Sequence, residues 1–132
     1  MLLSIIVPTY NESKNILPFV KAITSTIKSK DYEIIFVDDD SADKTYKIVN
    51  DISYKFNMVR CIRRIGRRGL SSAVIEGCLS SSSTLLLVMD ADLQHDEKKI
   101  PEMISLMKKE KLDLVVGSRF LYNTKTTGLS KS

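Results

Sequence analysis

No stretch of these 132 residues approaches the ~20 consecutive apolar positions that a bilayer-spanning helix requires. The apolar start, Met1 to Val7, lacks a basic leader and a small-residue cleavage site, so it is expected to be a first strand and not a signal peptide. Cysteine is scarce. Cys61 falls in a predicted strand and Cys78 on a predicted helix face, a placement that fits small core residues in a reducing compartment and not a metal-binding pair. A Gly-x-Gly-x-x-Gly turn after the first strand is absent, which excludes a dinucleotide-binding Rossmann domain. There is no internal repeat and no low-complexity block. Five arginines lie between Arg60 and Arg68, but no aromatics interleave with them to stack bases, which argues against nucleic acid as a partner. The commonest fate of such a run is a solvated surface; the preferred role here is that Arg67 or Arg68 borders the phosphate-bearing side of a cleft. His95 is the single histidine and is expected to shape a turn. The formal charge of +4 suits anionic ligands or an acidic surface without specifying either.

What the chain does contain is an alternation of short apolar runs with helical patterns. Leu2 to Val7, Tyr32 to Val37, Asn57 to Ile62, Leu85 to Met89 and Leu112 to Val116 read as five strands. Between them, Ile16, Phe19 or Val20, Ile23 and Ile27 recur at helical spacing. A second helix starts near Ala42 and buries Ile48, Val49 and Ile52. A third carries Leu70, Ala73, Val74, Gly77 and Cys78 on one face. A fourth runs from about Asp96 to Glu110 with Ile100, Met103, Ile104 and Met107 inward. This order predicts an α/β fold: a Rossmann-like, mostly parallel sheet with helices on both faces and right-handed crossovers. The domain is expected over 1–120, with 121–132 a loose polar tail.

Ligands of such sheets bind beyond the carboxyl ends of the strands. Every chemically distinctive segment falls there: Pro8 to Glu12, Asp38 to Asp40, the arginine loop, Asp90 to Gln94, and Arg119. Leu85 to Met89 is expected to be buried on both faces and to end in Asp90 and Asp92. In extended backbone, residues two apart project to the same side, and Gln94 adds a neutral oxygen in the same phase. Two carboxylates side by side at the end of a dry strand are costly unless a cation lies between them. Three oxygen ligands with room for water and phosphate suit Mg²⁺ or Mn²⁺. Alone, an Asp-x-Asp is more often a polar turn, and Asp38-Asp39-Asp40 is as readily an acidic helix start; their shared rim favours a site, with Asp39 on the ligand.

Taken together, Ile6-Val7-Pro8-Thr9-Tyr10-Asn11-Glu12, Val37-Asp38-Asp39-Asp40-Ser41-Ala42-Asp43, Arg68-Gly69-Leu70, Met89-Asp90-Ala91-Asp92-Leu93-Gln94-His95 and Gly117-Ser118-Arg119-Phe120 resemble the family-2 glycosyltransferases with the GT-A fold, most of all the dolichyl-phosphate mannosyltransferase and polyprenyl-phosphate branch. The resemblance implies the nucleotide-binding half of that fold. It implies that Pro8, Tyr10, Glu12, Val37 and Asp39 hold the nucleotide of a sugar donor, GDP-mannose or alternatively UDP-glucose. It implies that Asp90, Ala91 and Asp92 meet ribose, diphosphate and metal; that Asp90, Asp92 and Gln94 ligate Mg²⁺ or Mn²⁺; and that Arg119 contacts a phosphate. Asp92 and Arg119 are then the residues nearest the chemistry. The acceptor is a polyprenyl or dolichyl phosphate, already largely ionised near neutral pH because a monoester phosphate has its second pKa at ~6. It needs no protein base, and none is nominated. The longer protein is expected at the cytoplasmic face of a membrane. Two departures stand out. Lys44-Thr45 replaces the family's usual Gly-Thr, and the chain stops soon after the fifth predicted strand, as expected of a donor-binding part. A phospho-receiver signalling domain has a similar length and alternation, but it wants its acidic pair after the first strand and a lysine after the fifth.

Overall fold

A computed structural model describes residues 1–118. Its elements, in chain order, are β1 (Leu3–Thr9), α1 (Ile16–Thr26), β2 (Tyr32–Asp38), α2 (Thr45–Ser53), β3 (Val59–Arg63), α3 (Leu70–Leu79), β4 (Leu85–Val88), a 3-10 turn at Glu97–Lys99, and α4 (Ile100–Glu110). The four strands form one parallel sheet in the order β3-β2-β1-β4. The chain divides into two compact units, Met1–Glu97 and the part from Lys98 onward.

In the first unit the strands alternate their side chains between two covered faces. Ile6, Ile35 and Val37 point to one face and pack with Ala73 of α3, with Ile62 and Cys78 at the margin. A Cβ on Gly77 would lie 2.6 Å from Ile6 Cγ2 and 2.9 Å from Val37 Cγ2, so only glycine lets α3 approach the sheet this closely. Phe36, one residue out of phase with Ile35 and Val37, points to the opposite face and meets Phe19 of α1 edge-on, with ring centroids 5.8 Å apart. α1 buries Ile16, Phe19, Val20 and Ile23, so both of the alternative positions Phe19 and Val20 are core. α2 starts at Thr45, three residues later than expected, and buries Thr45 and Val49; Ile48 is exposed.

β4 departs from expectation. It is an edge strand whose side chains alternate between partly buried and exposed, with Leu86 49% and Val88 45% accessible. A run buried on both faces needs a helix on each side. α3 contacts β1 and β2, and the β4 residues in phase with Ile6 are left open.

In the second unit, α4 turns Ile100, Met103, Ile104 and Met107 to its more buried side and has Pro101 in its first turn. Its last turn closes with Lys111 in the left-handed region, φ 52°, and Leu112 N–H donating to Met107 C=O. The expected fifth strand, Leu112 to Val116, does not form among the described residues. The segment has no ladder partner, and Leu114 and Val116 are exposed. A strand exists only by pairing its backbone, and an apolar pattern cannot supply the neighbour. Arg119 and the expected tail at 121–132 lie outside the described residues. No described helix is long and apolar enough to cross a membrane.

Candidate functional site

Two loops at the carboxyl ends of β1 and β2 are tied together by short polar side chains. Asp38, fully buried, accepts from Thr9 Oγ1 at 2.8 Å, from Ser41 N–H at 3.0 Å and from Ser41 Oγ at 2.6 Å. Ser41 Oγ in turn accepts from Asn11 N–H at 2.9 Å, and Thr45 Oγ1 accepts from Glu12 N–H at 3.0 Å. Asp43 accepts from Ser13 N–H at 3.1 Å and from Thr45 N–H at 3.0 Å. Burial alone would raise the Asp43 carboxyl, but the bonds from Thr45 and Ser13 outweigh it and hold the group below the usual range. Asn11, Asp40 and Lys44 all take positive φ, 54°, 54° and 60°, to make these reversals. The three consecutive aspartates therefore do three things. Asp38 builds the loop, Asp40 pairs with exposed Arg63 at 2.7 Å, and Asp39 turns toward the space between the loops. None lies in the first turn of α2, so the reading of an acidic helix start does not hold.

The space is a cleft of about 340 Å³ lined by Pro8, Thr9, Tyr10, Glu12, Asp39, Leu70, Ala73, Asp90 and Asp92. Six of the predicted site residues, Pro8, Tyr10, Glu12, Asp39, Asp90 and Asp92, are thus brought together against Leu70 and Ala73 of α3. Glu12 also accepts from Asn15 Nδ2, which fixes its carboxylate near the start of α1.

Three predicted residues are not among those lining the cleft. Val37 is fully buried and faces α3 at Gly77, so its side chain packs the core and does not line the cleft. Ala91 is buried, 1% exposed, and does not line it either. Gln94 does not share the phase of Asp90 and Asp92. β4 ends at Val88, Leu93 takes φ 59°, and Gln94 N–H donates to Asp92 Oδ1 at 3.1 Å. The backbone is a turn here, so the extended-strand argument for a three-oxygen row fails, although Asp90 and Asp92 still reach one cleft. Arg119 is outside the described residues.

His95 shapes that turn. Its Nδ1 accepts from Asp90 N–H at 3.2 Å, which leaves the ring proton on Nε2, 3.7 Å from Asp90 Oδ2. Among the described residues neither Asp90 nor Asp92 forms an ion pair with lysine or arginine, and no group of three or more His, Cys, Asp or Glu side chains is disposed to hold a metal. Two carboxylates that face one cleft without a lysine or arginine partner fit a divalent ion that takes its remaining ligands from water and from a diphosphate.

Neither Arg67 nor Arg68 is among the residues that line the cleft. In the order β3-β2-β1-β4 the exits of β3 and β4 are at opposite edges of the sheet. Arg68 lies over the Tyr10 ring, 4.7 Å from its centroid, and Arg67 pairs with Glu76 at 2.8 Å. The residue that sequence reasoning missed is Arg64. It is 2% exposed and grips Asp39 with two bonds, Nε to Oδ1 at 2.7 Å and Nη2 to Oδ2 at 3.2 Å. That pair, with a smaller contribution from Glu76, holds its guanidinium above the usual range despite burial. Nothing in the run of five arginines marks which one turns inward. The available signal was its place directly after β3, where Arg64 N–H donates to Asp38 C=O at 2.8 Å and continues the ladder. The Cys61 thiol is pushed up to about 12, first by burial and then by nearby Asp38, so it is an inert core group.

A parallel sheet flanked by helices, with an acid-lined cleft at the carboxyl ends of its strands, makes this a Rossmann-like α/β domain. The chain matches the profile of glycosyl transferase family 2 over residues 4–132, and it belongs to that family. It is 42% identical over 121 residues to a dolichol-phosphate mannosyltransferase of Pyrococcus furiosus, a match covering 92% of this chain and 34% of that protein. It is 36% identical over 120 residues to the dolichol-phosphate mannosyltransferase of Saccharomyces cerevisiae, covering 89% and 44%. The chain thus spans between a third and a half of the length of these relatives. Among solved structures it resembles a mannosyltransferase from Pyrobaculum calidifontis in complex with GDP-Man and Mn²⁺, with a TM-score of 0.60, 26% identity, and coverage of 68% of this chain and 27% of that one. It also shares its fold with S. aureus TarS, with a TM-score of 0.67 at 22% identity over 84% of this chain and 33% of that one.

Proposed function

We propose that this chain is the donor-binding part of an inverting glycosyltransferase that moves mannose from GDP-mannose to a dolichyl or polyprenyl phosphate. The observation that carries the reading is that one cleft gathers Tyr10, Glu12 and Asp39 from the exits of β1 and β2 and Asp90 and Asp92 from the exit of β4. The names of the relatives support the sugar and the acceptor. In this reading the base lies toward Tyr10 and Asp39, where a ring and a hydrogen-bond acceptor are available. The diphosphate lies toward Asp90 and Asp92, which would hold Mg²⁺ or Mn²⁺. When bound, that ion stabilises the negative charge that grows on the departing diphosphate. Arg119 would add a contact to phosphate. An oxygen of the acceptor phosphate forms the new bond to the anomeric carbon as the bond to GDP breaks, and GDP leaves with the electron pair. Because the acceptor is a lipid, we place the longer protein at the cytoplasmic face of a membrane.

Thermal melting with GDP, UDP and their sugar conjugates, each with and without Mn²⁺, tests this. A ligand bound only by the folded chain at a hundred times its Kd adds about 2.7 kcal/mol, a rise of several degrees in the midpoint. GDP with Mn²⁺ is expected to give that rise, and Asp92→Asn to abolish the part that depends on Mn²⁺. An Asp92→Asn variant that keeps the full Mn²⁺ effect would overturn the metal assignment.

A further inference from the structure

Arg64 has the largest of the fully buried side chains in the described residues, and it is charged. Burying an ion costs several kcal/mol unless its bonds are well made. Here they reach three separate segments: Asp39 after β2, Gly69 C=O at 3.3 Å before α3, and Ser72 Oγ at 3.0 Å and Glu76 at 3.4 Å on α3. Asp39 Oδ2 takes a further bond from Gly69 N–H at 2.9 Å. An ionised carboxylate offers about four acceptor positions. Arg64 and Gly69 fill three, both on Oδ2 and one on Oδ1, and leave a single position on Oδ1 in a residue that lines the cleft.

We infer that Arg64 is a positioning residue for the nucleotide: it fixes Asp39 so that one acceptor, and only one, is presented to a ring N–H of the base. This rests on the donor-binding reading above. Arg64 touches no ligand itself. It works by locking the rotation of Asp39 and by joining that carboxylate to the helix that walls the cleft. A lysine keeps the charge but cannot make the two-bond fork.

The test is the affinity of the chain for GDP, by calorimetry, with and without Mn²⁺. Arg64→Lys is expected to raise the Kd at least tenfold. The ratio of Kd without Mn²⁺ to Kd with it should stay within twofold of the unaltered chain, because Asp90 and Asp92 are untouched. Ser72→Ala removes one anchor and keeps both bonds to Asp39; a two- to fourfold rise is expected, with the same ratio. Unchanged affinity in Arg64→Lys overturns the inference and leaves the donor reading standing. So does a loss of affinity together with the Mn²⁺ ratio, which a merely structural role would produce. Should Arg64→Lys fail to fold, Ser72→Ala decides, and unaltered affinity in it overturns the inference. An unaltered chain that binds no GDP at all overturns the donor reading and this one with it.

Discussion

Lys44 stands where the family usually has glycine, and the structure gives the reason for that glycine. The residue has φ 60°, a left-handed conformation that costs an L side chain roughly 1–2 kcal/mol. Lys44→Gly should relieve it and lose part of the gain through the freer unfolded chain, a net stabilisation of about 0.5–1 kcal/mol. It would be read as a higher urea midpoint at unchanged slope. Glu33 makes a prediction of the opposite kind. Burial would raise its carboxyl, but bonds from Arg60 and Ser4 hold it below its ordinary 4.5. A depressed carboxyl contributes stability that is present above its unfolded pKa and lost as pH falls through the folded one. Stability should therefore drop on acidification below about pH 4.5. Glu33→Gln should make that acid limb shallower in melts taken across pH 2–6, a range set by the ordinary titration of carboxyls. The opposite case is Arg64, whose role no residue-level pattern revealed.

At the scale of elements, α3 decides how the cleft is walled. Its approach depends on Gly77, and Leu70 and Ala73 on the same helix face the cleft. Gly77→Ala would force a methyl group against Ile6 and Val37. Overpacking of this kind costs about 1–3 kcal/mol, more than the roughly 1 kcal/mol of helix propensity that alanine returns. A lowered denaturation midpoint, with the helical circular dichroism kept, is the expected outcome. β4 is the least enclosed strand, and its half-open face is the element on which the apolar pattern misled. A run of Leu and Val is equally consistent with burial on both faces, on one face, or with cover supplied by something beyond the sheet. The same ambiguity produced the fifth strand, whose residues have the right composition and no partner among the described ones.

At the scale of the molecule, the organising fact is the strand order β3-β2-β1-β4. It sets the loops after β2 and β1 side by side in the middle, with Arg64 at one edge and Asp90 at the other. One cleft thereby gathers residues from the exits of three strands, β1, β2 and β4. Much of this was legible in the sequence. Alternating strands and helices are local patterns, so the α/β class, the strand-end position of Pro8 to Glu12, Asp39 and Asp90 to Asp92, and the inert cysteines follow from spacing and composition. The rest depended on contacts between residues far apart in the chain. That Val37 packs α3 while Asp39, two residues on, faces the cleft is set by the exact end of β2. That Gln94 falls out of phase is set by a left-handed Leu93. That Arg64 alone of five arginines is buried is set by a carboxylate 25 residues away. Local order is encoded in periodicity, which a chain carries along its own length; the pairing of distant charges exists only once the sheet has brought them within 3 Å of each other.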